Sequence, residues 1–488
     1  MKKLFLFSCV AAIAVLLAGF VINRTTVSHA PSPAGIPCAA TPATITATAF
    51  IPPAPTVVMV RKNIYSLSAA EITALKTGIS AMKALPLTNP TSWQYQAAIH
   101  GTTLANNLAS WNSCQHGTLY FLSWHRMYLY FFERILRAKS GSPALTLPYW
   151  NYQTNPALPP DYRNSAAGNT LYDGSRNASI NAGGALGAGI MTAINNSLTN
   201  IPFYDFQGDL EGPHGSVHVS IGGNMGAVNK AALDPCFWLH HANIDRLWEV
   251  WMRKCGGRSN PTDATWLNHQ FTFFDETGKA VVMTGSQVVH TASQLNYRYD
   301  FPLMLPCNFV IKWWEWKWKW WELLRIPVKI NLREKLQRIS FKQSKPDNLE
   351  RFIRETKTQR FNFSDKSIPD KLFITLEGVQ VNKMPEGSIE VYVNLPAGTA
   401  ADPRSKFFAG VVDLFTATGH AHQHENTPAN VRINISSAAR TLGLTPAALR
   451  NAEISFVVRG NTLKGREVQT TADIEIGSVV MGVEKAEK

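Results

Sequence analysis

Six of the chain's thirteen histidines fall into two spaced triplets, His100, His116 and His125, then His214, His218 and His241. This pattern constrains the fold more than any other feature of the 488 residues. A single buried histidine is ordinarily a hydrogen-bonded core residue. Six of them, in two triplets embedded in aromatic segments, point to metal. All-imidazole sites suit copper, zinc, iron or nickel. Two three-histidine sites without a bound carboxylate stay neutral apart from the metal, and they leave coordination positions open. His214 and His218 stand at i and i+4, so both rings face one side of a helix. His116 and His125 are nine residues apart, which on one helix would place them on opposite faces. They share a metal only if His116 sits on a loop ahead of the helix of His125, and Asn112, Cys114 and Gly117 suit such a loop.

The rest of the first 300 residues reads as mostly helical. Ser68-Ala69-Ala70-Glu71 is a capping-box start. Further helices are predicted from about Ser92 toward Leu104, over Trp124 to Arg137, and from Asp234-Pro235 to about Lys254. Apolar residues crowd most of the Trp124 helix, as in a helix buried in a bundle. Phe237, His241, Ile244, Trp248 and Trp251 recur at spacings of 4, 3, 4 and 3, one helix face. Gly-, Asn- and Pro-rich loops are expected over 155 to 200. From 371 onward the period changes to two. Leu372, Ile374 and Leu376 alternate with polar neighbours, as do Ile389, Val391 and Val393, then Val431, Ile433 and Ile435. The fold class is therefore a mainly α domain, a helical bundle holding the histidine site, followed by a small all-β sandwich. No internal repeats are evident.

Lys2 and Lys3 precede an apolar run from Leu4 to Ile22, and Ser28-His29-Ala30 offers a cleavage site, so residues 1–30 read as an export signal. The run is also long enough for an uncleaved membrane anchor. The chain is thus expected to be exported, periplasmic or secreted. Residues 31–59, rich in Pro, Ala and Thr, read as a linker. Six cysteines are present, one of them, Cys9, in the signal. The five others are an odd number in an oxidising compartment. Cys236 and Cys255 bracket one predicted helix, about 28 Å apart, too far to pair with each other. The net charge is +13, but residues 312–360 hold 14 Lys or Arg against 6 Asp or Glu, so eight of those charges sit in one segment. A basic run of this kind is ordinarily a solvated face, and no nucleic-acid partner is expected.

The sequence around the histidines resembles a known family. His116 to Leu129, with Phe121, Trp124, His125 and Arg126 and continuing to Glu133, is similar to the first copper signature of tyrosinases, polyphenol oxidases and molluscan haemocyanins. Asp234-Pro235 through Phe237, His241, Asn243, Asp245 and Arg246 resembles the second. Pro213-His214 to His218, and Leu147-Pro148-Tyr149-Trp150-Asn151, add to the likeness, which covers about 60–300. More weakly, 370–480 resembles the β domain that follows the catalytic domain in plant polyphenol oxidases.

The resemblance implies two copper ions in a dinuclear type-3 site, with dioxygen as co-substrate. His100, His116 and His125 would hold one copper, and His214, His218 and His241 the other. His240 reads as structural. The implied activity is oxidation of o-diphenols to o-quinones, with o-hydroxylation of monophenols left open. The partners expected are small phenolic substrates. A non-catalytic, haemocyanin-like oxygen carrier is the alternative, disfavoured because such carriers are large arrays. A zinc hydrolase would want a His-Glu-x-x-His spacing, which is absent.

Individual positions carry further expectations. Cys114-Gln115-His116 resembles the Cys-x-His whose sulfur is bonded to the imidazole, against a free or disulfide-bonded Cys114. Tyr297-Arg298-Tyr299 resembles the tyrosine motif that closes the catalytic domain, with Arg61 packed against it. Asp245, one turn after His241, either accepts the free ring N–H of that ligand, as an outer-shell partner, or makes a structural salt bridge. Val228 stands where many plant enzymes carry a bulky Phe over one copper, which implies a more open site. Gly215 stands where an Asn has been linked to monophenol deprotonation. Glu211 best matches the family's water-holding Glu, one residue short in spacing.

Three features lie beyond the signatures. The β domain is expected to cover the copper site, as C-terminal domains of polyphenol oxidases often do. Its His420, His422 and His424 either collect copper or form an exposed polar loop. Residues 301–364 read as a Trp-rich basic linker or insertion, with 312–360 outside the family likeness. Six of the chain's 14 tryptophans fall in 313–321. The segment is either an exposed insertion packed on a neighbouring domain or a surface for membranes or anionic polymers. Cleavage there would release the lid.

Overall fold

The computed structural model describes residues 46–54, 57–104, 108–301, 317–327, 329–363, 369–419 and 429–487. The export-signal reading of 1–30 and the His420, His422 and His424 cluster lie outside these residues. Among the described residues, no helix is long and apolar enough to cross a membrane.

The helical part is built as the periodicity dictates, with ends shifted by a few residues. Helix α1 (Ala69–Lys83) opens on a complete capping box, Ser68 receiving the Glu71 N–H and Glu71 receiving that of Ser68. Helix α2 (Trp93–His100) ends at the first histidine, short of Leu104. Helix α3 (Phe121–Ser140) is buried without interruption from Phe121 to Glu133, which explains its lack of a polar face. It stops at Gly141, whose φ of 66° is cheap only for glycine. The stretch expected as loop contains three short helices, α4 (Pro160–Arg163), α5 (Ala178–Asn181) and α6 (Ala188–Ser197). Helix α7 (Phe203–Ile221) carries His214 and His218 and contains Pro213, which removes one backbone hydrogen bond just ahead of His214. Helix α8 (Pro235–Arg253) starts with Asp234 as cap and Pro235 at its first position. Asp234 is also paired with the buried Arg176.

Short strands close this half. Strand β1 (Thr48–Ala49) runs parallel to β4 (Ala280–Thr284), which pairs with β3 (Gln270–Phe274). Strand β2 (Met59–Arg61) runs parallel to β5 (Tyr297–Tyr299), with Arg61 opposite Tyr299. The reading of 31–59 as linker is corrected at its end, because Phe50 is buried against Tyr130 and Phe131. An aromatic ring that finds a core pocket outweighs the Pro- and Thr-rich composition around it.

The C-terminal part contains two largely antiparallel sheets. One is six-stranded: β6 (Lys317–Ile326), β17 (Ser478–Glu487), β9 (Lys371–Lys383), β16 (Asp473–Ile476) and β7 (Ile330–Asn331) in that order, with β12 (Ala429–Asn434) also on β9. The other orders β11 (Phe408–Val411), β10 (Gly387–Val393), β13 (Glu453–Gly460) and β8 (Leu336–Ser340). Helices α11 (Asp347–Thr356), α12 (Leu414–Gly419) and α13 (Ser436–Thr441) accompany them. The linker reading of 301–364 is corrected here. From Lys317 the segment is a sheet strand, paired along its length with β17, and its alternation places Trp321 and Leu323 inside while Trp320 stays exposed. Trp320 and Trp318 lie against cations, Arg432 and Lys371, which is why charge and aromatics alternate there.

Candidate metal centre

Four helices and one loop bring the six histidines together. His100 ends α2, His116 lies on the loop five residues before α3, and His125 lies in the second turn of α3. Helix α7 supplies His214 and His218 on one face, and α8 supplies His241. All but His116 are buried; His116 is half-buried, on the loop side of the site.

The second triplet is the tighter. The Nε2 atoms of His218 and His214 stand 3.1 Å apart, those of His218 and His241 3.2 Å, and those of His214 and His241 3.4 Å. Three imidazole nitrogens cannot satisfy one another with hydrogen bonds at such a point. A metal at about 2.0–2.1 Å from each would satisfy all three, and would hold them about this far apart. The first triplet is looser. Its ring centroids lie 5.3 Å apart for His100 and His116, 5.3 Å for His116 and His125, and 5.8 Å for His100 and His125. Potential ligand atoms of His100, Cys114 and His116 lie within 4.8 Å of one another, as do those of His100, His125 and His241. The triplets meet where His125 stacks on His241, centroids 4.3 Å apart.

The chemistry of the donor set fits the metal that the sequence implies. Burial drives the basicity of His125, His214, His218 and His241 well below that of free imidazole, and the neighbouring histidines lower it further. The rings are therefore neutral, with lone pairs to offer. Backbone carbonyls fix three of them. Nδ1 of His100 faces the Val228 oxygen at 2.9 Å, Nδ1 of His125 that of Phe121 at 2.8 Å, and Nδ1 of His218 that of Met225 at 2.9 Å. Each contact leaves Nε2 to point inward. Phe121 and Phe237 wall the cluster, Phe237 with its ring 4.2 Å from His241.

The remaining predicted positions fall as follows. The Cys114 sulfur lies 3.7 Å from Nδ1 of His116, and burial pushes its thiol up to about 12. Cys114 and Cys236 are not in disulfides, whereas Cys255 is. Glu211 is turned toward the His116 loop and accepts the Gly117 N–H at 2.9 Å; burial drives its carboxyl well above the usual range. Val228 is buried, and its carbonyl is what contacts His100. Gly215 faces the β domain: a Cβ there would come within 2.0 Å of the Asp413 carboxylate and 3.2 Å of Phe415.

Asp245 is corrected as an outer-shell acceptor for His241. Its carboxylate instead receives Arg126 at 2.5 Å, Arg61 at 3.1 Å, Tyr297 at 2.6 Å and Tyr299 at 2.5 Å. Burial alone would raise this carboxyl; the two arginines outweigh it and hold it below its ordinary value. The i+4 spacing was compatible with either role, and two buried guanidiniums need a counter-charge more than a neutral ring does. Arg61 lies over the Tyr297 ring at 3.7 Å.

One residue at the site had no signal in the sequence. Phe415, on α12 of the β domain, stacks face to face on His218, centroids 3.9 Å apart and planes within 4°. Its ring is also edge-on to His116 at 5.6 Å and His214 at 5.8 Å. Asp413 caps α12 by accepting the Thr416 N–H.

Comparisons with known proteins agree with this geometry. Residues 90–206 and 186–254 match the family model for the common central domain of tyrosinase. Residues 260–315 match the polyphenol oxidase middle domain, and 327–482 a domain of unknown function. These last two cover most of the segment 312–360 that was set outside the likeness. The chain is 35% identical over 299 residues to a tyrosinase of Hahella sp., covering 50% of this chain and 64% of the relative. It is 30% identical over 281 residues to the latent form of a chloroplastic polyphenol oxidase of Prunus armeniaca, 48% and 47% of the two. The matched stretch thus spans about half to two thirds of these relatives. Among solved structures, latent aurone synthase, a polyphenol oxidase, superposes with a TM-score of 0.60 at 19% identity, covering 90% of this chain and 92% of its own. Latent apple tyrosinase gives 0.58 at 20%, with 91% and 99% covered. At these identities the likeness concerns the fold.

Proposed function

We propose that this chain, whose histidine segments match the common central domain of tyrosinase, is a copper-dependent oxidase of o-diphenols that yields o-quinones with dioxygen. The observation that carries this reading is the convergence of three neutral Nε2 atoms at 3.1–3.4 Å, with a second histidine triplet stacked against them. His100, His116 and His125 would hold one copper, and His214, His218 and His241 the other. The metals supply dioxygen binding and the electron exchange. The chain's own residues hold neutral ligands in fixed tautomers, exclude water with Phe121 and Phe237, and offer the His218 face to an aromatic ring. We read Cys114, whose sulfur lies 3.7 Å from Nδ1 of His116, as the partner of a thioether to that ring.

Monophenol hydroxylation is the finer question. Gly215 has no side chain to take a phenolic proton, and Glu211 is engaged by Gly117. We therefore read diphenol oxidation as the principal activity. We also read the β domain as a lid that keeps the intact chain latent, because Phe415 occupies the face of His218 that a phenol would need.

The test is oxygen uptake by copper-loaded protein, before and after limited proteolysis, with a catechol and then a monophenol. Uptake with the catechol after cleavage, lost on His125→Ala or His241→Ala, is the expected result. Two bound coppers that take up oxygen reversibly with no turnover would overturn the assignment in favour of a carrier.

A further inference from the structure

Helices α6 and α7 carry glycines that their backbones do not require. Gly189 lies in α6, and Gly208 and Gly215 in α7. None of the three has a positive φ, and glycine weakens a helix relative to alanine. What differs among them is what stands opposite. A Cβ added at Gly208 would meet nothing within 4 Å. One at Gly189 would lie 2.9 Å from both Cγ and Cδ of Glu390, on β10 of the β domain. One at Gly215 would lie 2.7 Å from Cγ of Asp413 and 3.2 Å from Cβ of Phe415. Carbon atoms in contact rest about 3.5–4.0 Å apart. Neither Gly189 nor Gly215 therefore has room for a methyl group while the β domain is in place.

The two acids that fill these spaces are buried, and their own domain holds them. Glu390 accepts the Tyr392 hydroxyl at 2.6 Å and Nε of Arg459 at 2.9 Å. Asp413 accepts the Thr416 N–H at 3.2 Å and the Thr416 hydroxyl at 2.8 Å. Those bonds fix the carboxylates whether or not the helices are near, so each acid meets its glycine by shape. A rigid, buried side chain is a poor candidate for stepping aside, and interiors packed this closely respond to a single added methyl.

We propose that Gly189 and Gly215 are notches that key the β domain to the helical half, Gly189 receiving Glu390 and Gly215 receiving Asp413, and that this fit sets Phe415 on His218. Phe415 follows Asp413 by two residues, so the depth at which Asp413 seats fixes where the Phe415 ring lands. The side chain missing at Gly215, which leaves no group there to take a phenolic proton, is what admits the lid. A methyl group in either notch overpacks the closed form and leaves the open form untouched.

This inference rests on the reading of the β domain as a lid, and its first measurement needs no copper. Gly189→Ala, Gly215→Ala and Gly208→Ala are compared in the full chain. Timed proteolysis between the two domains of the copper-free protein measures opening. The ratio of catechol oxidation before cleavage to that after it measures latency in the copper-loaded protein. Cleavage should be roughly 5-fold faster or more in Gly189→Ala and Gly215→Ala, with the ratio raised by a similar factor. Gly208→Ala, whose methyl enters open space, should match the parent. Asp413→Ala makes room for the methyl at 215, so Gly215→Ala combined with Asp413→Ala should be no more open than Asp413→Ala alone. Parental cleavage rates in both notch variants overturn the proposal. So does equal opening in Gly208→Ala, and so does a double variant that keeps the full effect of Gly215→Ala on top of Asp413→Ala. No catechol oxidation in any form would sink the oxidase reading and leave the cleavage rates to decide this one.

Discussion

Phe415 and Asp245 act on the site through opposite means, one by occupying it and one by holding its frame. An aromatic pair in favourable geometry contributes about 0.5–1.5 kcal/mol beyond its buried area. Phe415→Ala should therefore raise the uncleaved chain's catechol oxidation by roughly 3- to 10-fold, with little change after the lid is cut. Steady-state oxygen uptake on both forms measures this, and equal rates in the intact variant and parent would count against Phe415 as the plug. Asp245 neutralises Arg61 and Arg126 where no water reaches. Breaking such a buried group by removing one partner costs about 3–5 kcal/mol. Asp245→Ala should lower the melting temperature by on the order of 5–10 °C even without copper; a change within about 1 °C would refute a structural role. Five of the six candidate ligands were legible at this scale because their neighbours carry specific patterns, whereas His100, at the end of α2, lies outside the signatures. Phe415 was not, because its contacts to His218 and His214 span about 200 residues and depend on how two domains meet. Asp245 was legible as a partner, though its i+4 spacing from His241 could not say of what.

At the scale of elements, helices with one strong period were readable to within a few residues, as α3 and α8 show. The strand from Lys317 was not, since WKWKWW alternates aromatics with charges and matches both a solvated linker and a half-exposed strand. That strand's sheet meets α7 across a cleft of about 160 Å³. Asp205 of α7 pairs there with Lys371 of β9, and Asp209 accepts the amides of Asn200 at 2.7 Å and Asn434 of β12 at 3.0 Å. Asp370, Arg432 and Arg440 of the β domain face the same cleft. Burial raises the Asp209 carboxyl to about 7, against an ordinary value near 4. Because the closed state raises this pKa, closure is favoured where Asp209 is protonated and is weakened as pH climbs through about 7. The intact chain should thus become more readily cleaved at its interdomain segment, and more active, between pH 6 and pH 8. Asp209→Asn should flatten that dependence. Timed proteolysis across this range checks it, and greater opening at the acid end would reverse the assignment.

The described residues from 46 onward pack as one unit, and most of their buried apolar residues form one continuous cluster reaching from Phe50 to Val483, beside a smaller one around Tyr392 and Phe408. Lid and helical half should therefore melt together in calorimetry, and two separated transitions in the uncleaved chain would contradict the shared core. Metal should move that transition upward, because the site forms only in the folded state. Copper at about 100 times its dissociation constant adds about 2.7 kcal/mol per site. A melting temperature indifferent to copper would argue against binding at the histidines. The network of Arg61 sets a condition of another kind, on the order in which the chain can be completed. Its guanidinium is sealed by Glu133, Asp245 and Tyr299, the last made 238 residues later. On a ribosome, a charge near the start of the domain must wait in water until nearly all of that domain has emerged. The Arg61 network of the helical half is therefore completed only once Tyr299 has emerged.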